Sequence, residues 1–168
     1  IIGEHRFQPG DRIEVSGQLH GIVESIGFRS TVIRTFDTAP MVIPNKDLSD
    51  VKVINHGEMI NRRLNWKINL IYSTSVEQLE SIRNGIKDYI IKSDDFVTDG
   101  DLDPVVRVIE LGGSSIDLMI VAYADPMGFA AFNEVKESLI FNIMKIVKDN
   151  GSEFAYPSTS LYVESMPK

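Results

Sequence analysis

The residues here whose types could do chemistry are three histidines, a run of aspartates, several serines and a pair of threonine-flanked arginines. Imidazoles and carboxylates together can hold a divalent cation or relay protons. His5, His20 and His56 are scattered, however, with no HExxH pattern and no partner at a metal-like interval. They predict surface or turn histidines and no metal site. Asp94, Asp95, Asp99, Asp101 and Asp103 are spaced as if for calcium. A calcium loop needs glycine at its sixth place and side-chain oxygens at its first, third and fifth. Counting from Asp99 puts Pro104 in the sixth place, and counting from Asp95 puts Val97 in the third. The cluster therefore predicts a solvated acidic loop. Ser114-Ser115 and Ser158-Thr159-Ser160 lack the glycine-flanked turn that presents a nucleophilic serine. Gly112-Gly113 falls between two strands, which does not make a phosphate cradle. No catalytic residue and no cofactor site is expected.

Composition narrows the classes further. The chain has 168 residues, enough for one domain or two small ones with real cores. Its net charge of −7 gives it no general attraction to nucleic acid or anionic lipid. Cysteine is absent, which excludes disulfides and thiolate chemistry. The longest apolar run, residues 118–124, is far too short to span a membrane. Ile1 begins the chain without an initiator methionine or a signal-peptide layout, so a piece of a longer protein is expected.

The elements that must position any site fall into two groups. Residues 12–15, 21–26, 31–36, 41–43 and 51–54 alternate or are rich in β-branched side chains, and Gly and Pro turns separate them. Five short strands of this kind predict a small Sm-like five-stranded β-barrel, whose closure would remove exposed edges. The period fails near residues 56–60, which places a domain boundary there and gives domains 1–60 and 61–168.

In the second part, residues 64–70 alternate as a half-buried strand. Thr74 or Ser75 followed by Glu77 or Gln78 fits a capping box, and Val76, Leu79, Ile82, Ile86 and Ile90 form a helical stripe. Gly85 weakens that helix and could admit a strand closely. Strands over 102–111 and 116–124 are joined at Gly112-Gly113-Ser114. A second helix carries Phe132, Val135, Leu139, Ile143 and Ile146, and Gly151 stops it. A last strand over 160–164 completes β-α-β-β-α-β, the order of a ferredoxin-like α/β sandwich. The class is thus mixed β and α+β.

Two features could contact a partner. Arg29 and Arg34 stand beside Thr31 and Thr35, which leaves an RNA-binding module on the small barrel as an alternative. Aromatic residues do not interleave with them, and residues 1–60 carry six basic against eight acidic side chains. The other feature is Phe154-Ala155-Tyr156-Pro157, aromatic residues just ahead of the last strand.

Longer blocks carry a resemblance. They are Phe7-Gln8-Pro9-Gly10-Asp11-Arg12-Ile13, Gly21-Ile22-Val23-Glu24-Ser25-Ile26, Arg29-Ser30-Thr31 with Ile33-Arg34-Thr35, Met41-Val42-Ile43-Pro44-Asn45-Lys46-Asp47-Leu48, Val53-Ile54-Asn55, and Gly151-Ser152-Glu153-Phe154-Ala155-Tyr156-Pro157. Together they resemble the cytoplasmic region of the small-conductance mechanosensitive ion channels, with Ser152, Ala155 and Tyr156 departing from the commonest form. The resemblance implies a β-domain and an αβ-domain on the cytoplasmic side of the cell membrane. It implies a homoheptameric cage of identical subunits, with side portals for permeating ions and small solutes, serving the osmotic stress response. The membrane would be reached through a missing N-terminal segment that holds the gate. No catalysis, cofactor, metal or nucleic acid is implied. Gly10, Asp11, Gly21, Arg29, Thr31, Arg34, Thr35, Pro44, Asn45, Asn55, Phe154 and Pro157 match the family motifs as scaffold and candidate subunit contacts. Pro44 should end a strand, and Asn45 should cap the short helical step after it.

Overall fold

A computed structural model describes residues 6–17, 19–125 and 128–156. The chain divides into two compact units, Ile1–Ile60 and Asn61–Lys168.

The first unit holds β1 (Arg12–Val15), β2 (Leu19–Ile26), β3 (Ser30–Thr35), β4 (Pro40–Pro44), α1 (Asn45–Asp50) and β5 (Val53–Asn55). All strand pairs are antiparallel, in the order β4-β3-β2-β1-β5. Alternation places Ile13, Val15, Val23 and Ile33 on one face, where they bury with Phe7 and Leu48.

The expected barrel is not formed. β4 and β5 are the two ends of an open sheet and do not pair with each other. Closure needs the end strands to meet in register at a fixed tilt and stagger. Here the segment between them is α1, and its Leu48 fills the core. Periodicity reported the number of strands and carried no information on whether the ends meet.

Gly21 marks the tightest approach in this sheet. It faces Ile13 on β1 and Thr35 on β3. A Cβ at this position would lie 2.5 Å from Ile33 Cγ2 and 2.7 Å from the Arg34 carbonyl oxygen. Only glycine lets β2 and β3 pack this closely.

The second unit holds β6 (Arg62–Leu70), α2 (Val76–Lys92), β7 (Phe96–Val97), β8 (Val105–Leu111), β9 (Ile116–Ala124) and α3 (Phe129–Asp149). β6 and β9 pair antiparallel along their whole length, from Arg62–Ala124 to Leu70–Ile116. β7 and β8 follow one another along the other side of β9. Ile82, Ile86 and Ile90 of α2 and Val135, Leu139, Ile143 and Val147 of α3 bury against Leu64, Leu70, Leu118 and Ile120. The expected last strand, residues 160–164, lies outside the described residues, so the described sheet is short of the complete ferredoxin-like sandwich. Residues 102–104 do not belong to β8. Gly100–Leu102 is a 3-10 turn, and Pro104 precedes the strand.

Local signals fared well in this unit. Ser75 Oγ accepts from the Gln78 amide at 3.2 Å, and Gln78 Oε1 accepts from the Ser75 amide at 2.8 Å. Gly151, at φ +66°, closes α3 with a Schellman pair, Gly151 N–H to Lys148 O at 2.9 Å and Ser152 N–H to Val147 O at 3.1 Å. Gly85 does admit a neighbour, but that neighbour is Ile146 on α3 and not a strand; a Cβ on Gly85 would lie 3.1 Å from Ile146 Cγ2.

Candidate subunit-contact surface

The motif residues of the first unit build two locks that fix loops to the sheet. The first centres on Asn45. Its side-chain amide donates to the carbonyls of Gly27 at 2.9 Å and Phe28 at 3.2 Å. Its Oδ1 accepts from the hydroxyl of Thr31, which is fully buried, at 2.8 Å. Its backbone N–H donates to Arg29 O at 2.9 Å. The expected cap role is therefore incorrect: Pro44 occupies the N-cap position of α1, with no side-chain cap. Asn45 instead ties α1 to the turn over residues 27–29. Pro44 does end β4 as expected.

The second lock centres on Asp11 and Asn55. Asp11 Oδ2 accepts from the Asn55 side chain at 2.8 Å and from the Gln8 amide at 2.9 Å. Asn55 Oδ1 accepts from the Gly57 amide at 2.8 Å. Gly10, at φ +98°, supplies the left-handed turn and donates to Val23 O at 2.8 Å. The start of β1 and the end of β5 are held together in this way.

Arg34 is committed within the sheet. It pairs with Glu24 at 2.6 Å and donates to Thr38 O at 2.9 Å. Thr35 closes the β3–β4 turn onto Ala39 O, through its amide at 2.9 Å and its hydroxyl at 3.2 Å. Arg29 is exposed and has no side-chain ion pair among the described residues. Glu24 thus compensates the charge of Arg34, which leaves Arg29 as the more open of the two cations.

What the Asn45 lock presents is a residue the motif reading passed over. Phe28, at the tip of the locked turn, is 90% exposed. Val42, Ile54 and Phe36 add exposed apolar surface in the same unit. The signal in the sequence was an aromatic in a glycine turn with no strand period to bury it.

In the second unit, Phe154 joins the chain to the free side of β6. It bridges Leu70, and the next amide, Ala155 N–H, donates to Asn69 O at 2.8 Å. Phe154 packs partly against the core, so it is not simply a spare contact aromatic. Beyond that bridge, the rest of β6 has no strand partner on this side among the described residues. A groove of about 480 Å³ runs there, lined by Trp66, Ile68, Ile140, Met144 and Phe154 among others. Ile140, Phe141 and Met144 are exposed on α3 beside its core stripe. Pro157 lies outside the described residues.

Ser152, a departure from the commonest motif, has a local account. Its buried hydroxyl meets the buried Thr74 hydroxyl at 2.8 Å, and Thr74 Oγ1 donates to Ile71 O at 2.7 Å. A polar residue at position 152 is satisfied because position 74 supplies its partner.

The sheet face opposite the helices carries a charged network. Lys67 Nζ donates to Asp117 Oδ2 at 2.7 Å, while Ser115 and Asn69 donate to Oδ1 at 2.7 and 2.6 Å. Asp117 is buried although Lys67 is half exposed. The Lys67 hydrogen bond, then that of Ser115, holds the Asp117 carboxyl below the usual carboxylate range. The Asp117 hydrogen bond pushes the Lys67 ammonium up. A depressed carboxyl binds its proton less readily folded than unfolded. Its stabilisation is therefore present above the unfolded value and lost as pH falls through the folded one. Thermal melts from neutral pH into the acid range should fall less steeply for Asp117→Asn than for the unsubstituted chain. Equal slopes would contradict this.

Against this geometry stand the comparisons with known proteins. Among the described residues, no helix is long and apolar enough to cross a membrane. The family described as "Mechanosensitive ion channel, beta-domain" matches residues 1–58, and "Mechanosensitive ion channel MscS, C-terminal" matches residues 64–154. An uncharacterised MscS-family protein of Aquifex aeolicus is 37% identical over the whole chain, which spans 45% of that relative. The small-conductance mechanosensitive channel MscMJ of Methanocaldococcus jannaschii is 32% identical over 98% of the chain and 45% of its own length. The closed-state crystal structure of Helicobacter pylori MscS superposes with a TM-score of 0.81 at 27% identity, covering 98% of this chain and 62% of that one. The chain thus spans about half the length of the curated relatives it matches. The chain belongs to the MscS family of mechanosensitive ion channels, and it corresponds to their C-terminal region.

Proposed function

We propose that this chain is the scaffold and vestibule of a channel that opens under membrane tension and passes ions and small solutes. The observation that carries this reading is the match of both family regions, in order, along one chain. The part works without catalysis, on the cytoplasmic side of the membrane. Its partners are identical subunits, seven in the ring, joined to a separate membrane-spanning region. The locked Phe28 turn and the groove beside β6 supply apolar surface for neighbouring copies.

The vestibule favours cations on this reading. Asp94, Asp95, Asp99, Asp101 and Asp103 are all exposed, and the chain carries −7. Suction applied to membrane patches holding the full-length protein should open a pore. In a salt gradient its reversal potential should shift toward the chloride side when these aspartates become asparagine. Patches silent at every suction up to rupture would overturn the channel reading. An unmoved reversal potential would overturn the cation bias alone.

A further inference from the structure

Sequence spacing separated the histidines, but the first sheet gathers two of them around one carboxylate. β1 and β2 pair so that Glu14 stands directly opposite His20. On its other side β1 pairs Glu14 with Ile54 of β5, and His56 follows two residues later in the 3-10 turn His56–Glu58. Glu14 Oε2 lies 3.2 Å from His56 Nε2 and 3.7 Å from His20 Nδ1. One ligand atom from each of the three residues falls within 4.8 Å of the others, and all three side chains are partly buried.

Hydrogen bonding accounts for only one side of this cluster. His56 can donate to Glu14, but His20 Nδ1 is shut off from solvent and has no hydrogen-bond partner among the described residues. A buried polar nitrogen left unserved is destabilising, and such atoms in native folds call for an explanation. A cation at the centre would serve all three donors together. Tetrahedral zinc, with bonds of roughly 2.0–2.1 Å, sets its donors about 3.3 Å apart. The Glu14–His56 pair is already at that separation, and His20 Nδ1 stands 3.7 Å from the same carboxylate oxygen. Two imidazoles and one carboxylate form a zinc-type donor set, with water left to fill the fourth position.

We propose that Glu14, His20 and His56 form a Zn²⁺ site. The ion would tie β1 to β2 and fasten the 3-10 turn that ends the first unit. This goes beyond the channel reading and does not depend on it. Purified chain, stripped with chelator and titrated with Zn²⁺ in a calorimeter, should bind one equivalent. His20→Gln, His56→Gln and Glu14→Gln should each weaken binding by about tenfold or more. In the unsubstituted chain, the imidazole ¹⁵N resonances of His20 and His56 should both shift on adding one equivalent. That readout stands even if a variant fails to fold. Absence of binding, binding untouched by both histidine substitutions, or unmoved His20 and His56 resonances would overturn the site.

Discussion

Gly21→Val is expected to destabilise the first unit by about 3 kcal/mol or more, at the upper end of overpacking effects. The missing Cβ is already 2.5 Å from Ile33 Cγ2 and 2.7 Å from the Arg34 carbonyl. Ile33 is fully buried, so its side chain has no free space to retreat into. The Arg34 carbonyl belongs to the β3 backbone, whose pairs with β2 and β4 fix it on both sides. Relief requires β2 and β3 to part, which opens the core around Val23 and Ile33. Urea unfolding followed by circular dichroism measures the loss. Gly113→Ala, in the second unit, is the control for a glycine with open space, because nothing lies within 4 Å of its added Cβ. The control should stay within about 0.5 kcal/mol of the unsubstituted chain. Equal stability of both variants would show that the β2–β3 approach is looser than described.

Asn45→Ala should be the next most damaging change, at about 2–3 kcal/mol. It removes the bonds to Gly27 O and Phe28 O and leaves the buried Thr31 hydroxyl without its partner. The turn that presents Phe28 is then held by fewer bonds, so assembly should suffer along with folding. Thr31→Val isolates the hydroxyl's share. The valine keeps the buried shape, and no orphaned hydroxyl remains in the double variant. Asn45→Ala should therefore do less harm in the Thr31→Val background, with a coupling of about 0.5 kcal/mol or more. Strict additivity would mean that the Thr31–Asn45 bond contributes nothing.

Legibility in the sequence followed the range of each interaction. The Ser75–Gln78 box and the Gly151 stop depend on neighbours within a few residues, and both were readable. Asn45 was read as a cap because local rules place asparagine there; its side chain instead reaches 18 residues back, to Gly27. Barrel closure failed for a related reason. The strand count is local, but the meeting of β4 and β5 depends on tilt and stagger summed over the whole sheet. Glu14 and His56 meet across 42 residues, far outside the short spacings of the local metal motifs. Phe28 was legible only as an aromatic without a period, and the turn that exposes it is held by the Asn45 lock.

The ring is the central claim, and molar mass tests it most directly. Full-length protein purified in a defined detergent and measured by multi-angle light scattering should weigh seven chains after the detergent is subtracted. Phe28→Ser combined with Met144→Ser should shift that mass toward smaller species while each chain keeps its secondary structure. A monomeric mass for the unsubstituted protein at every concentration would contradict the account.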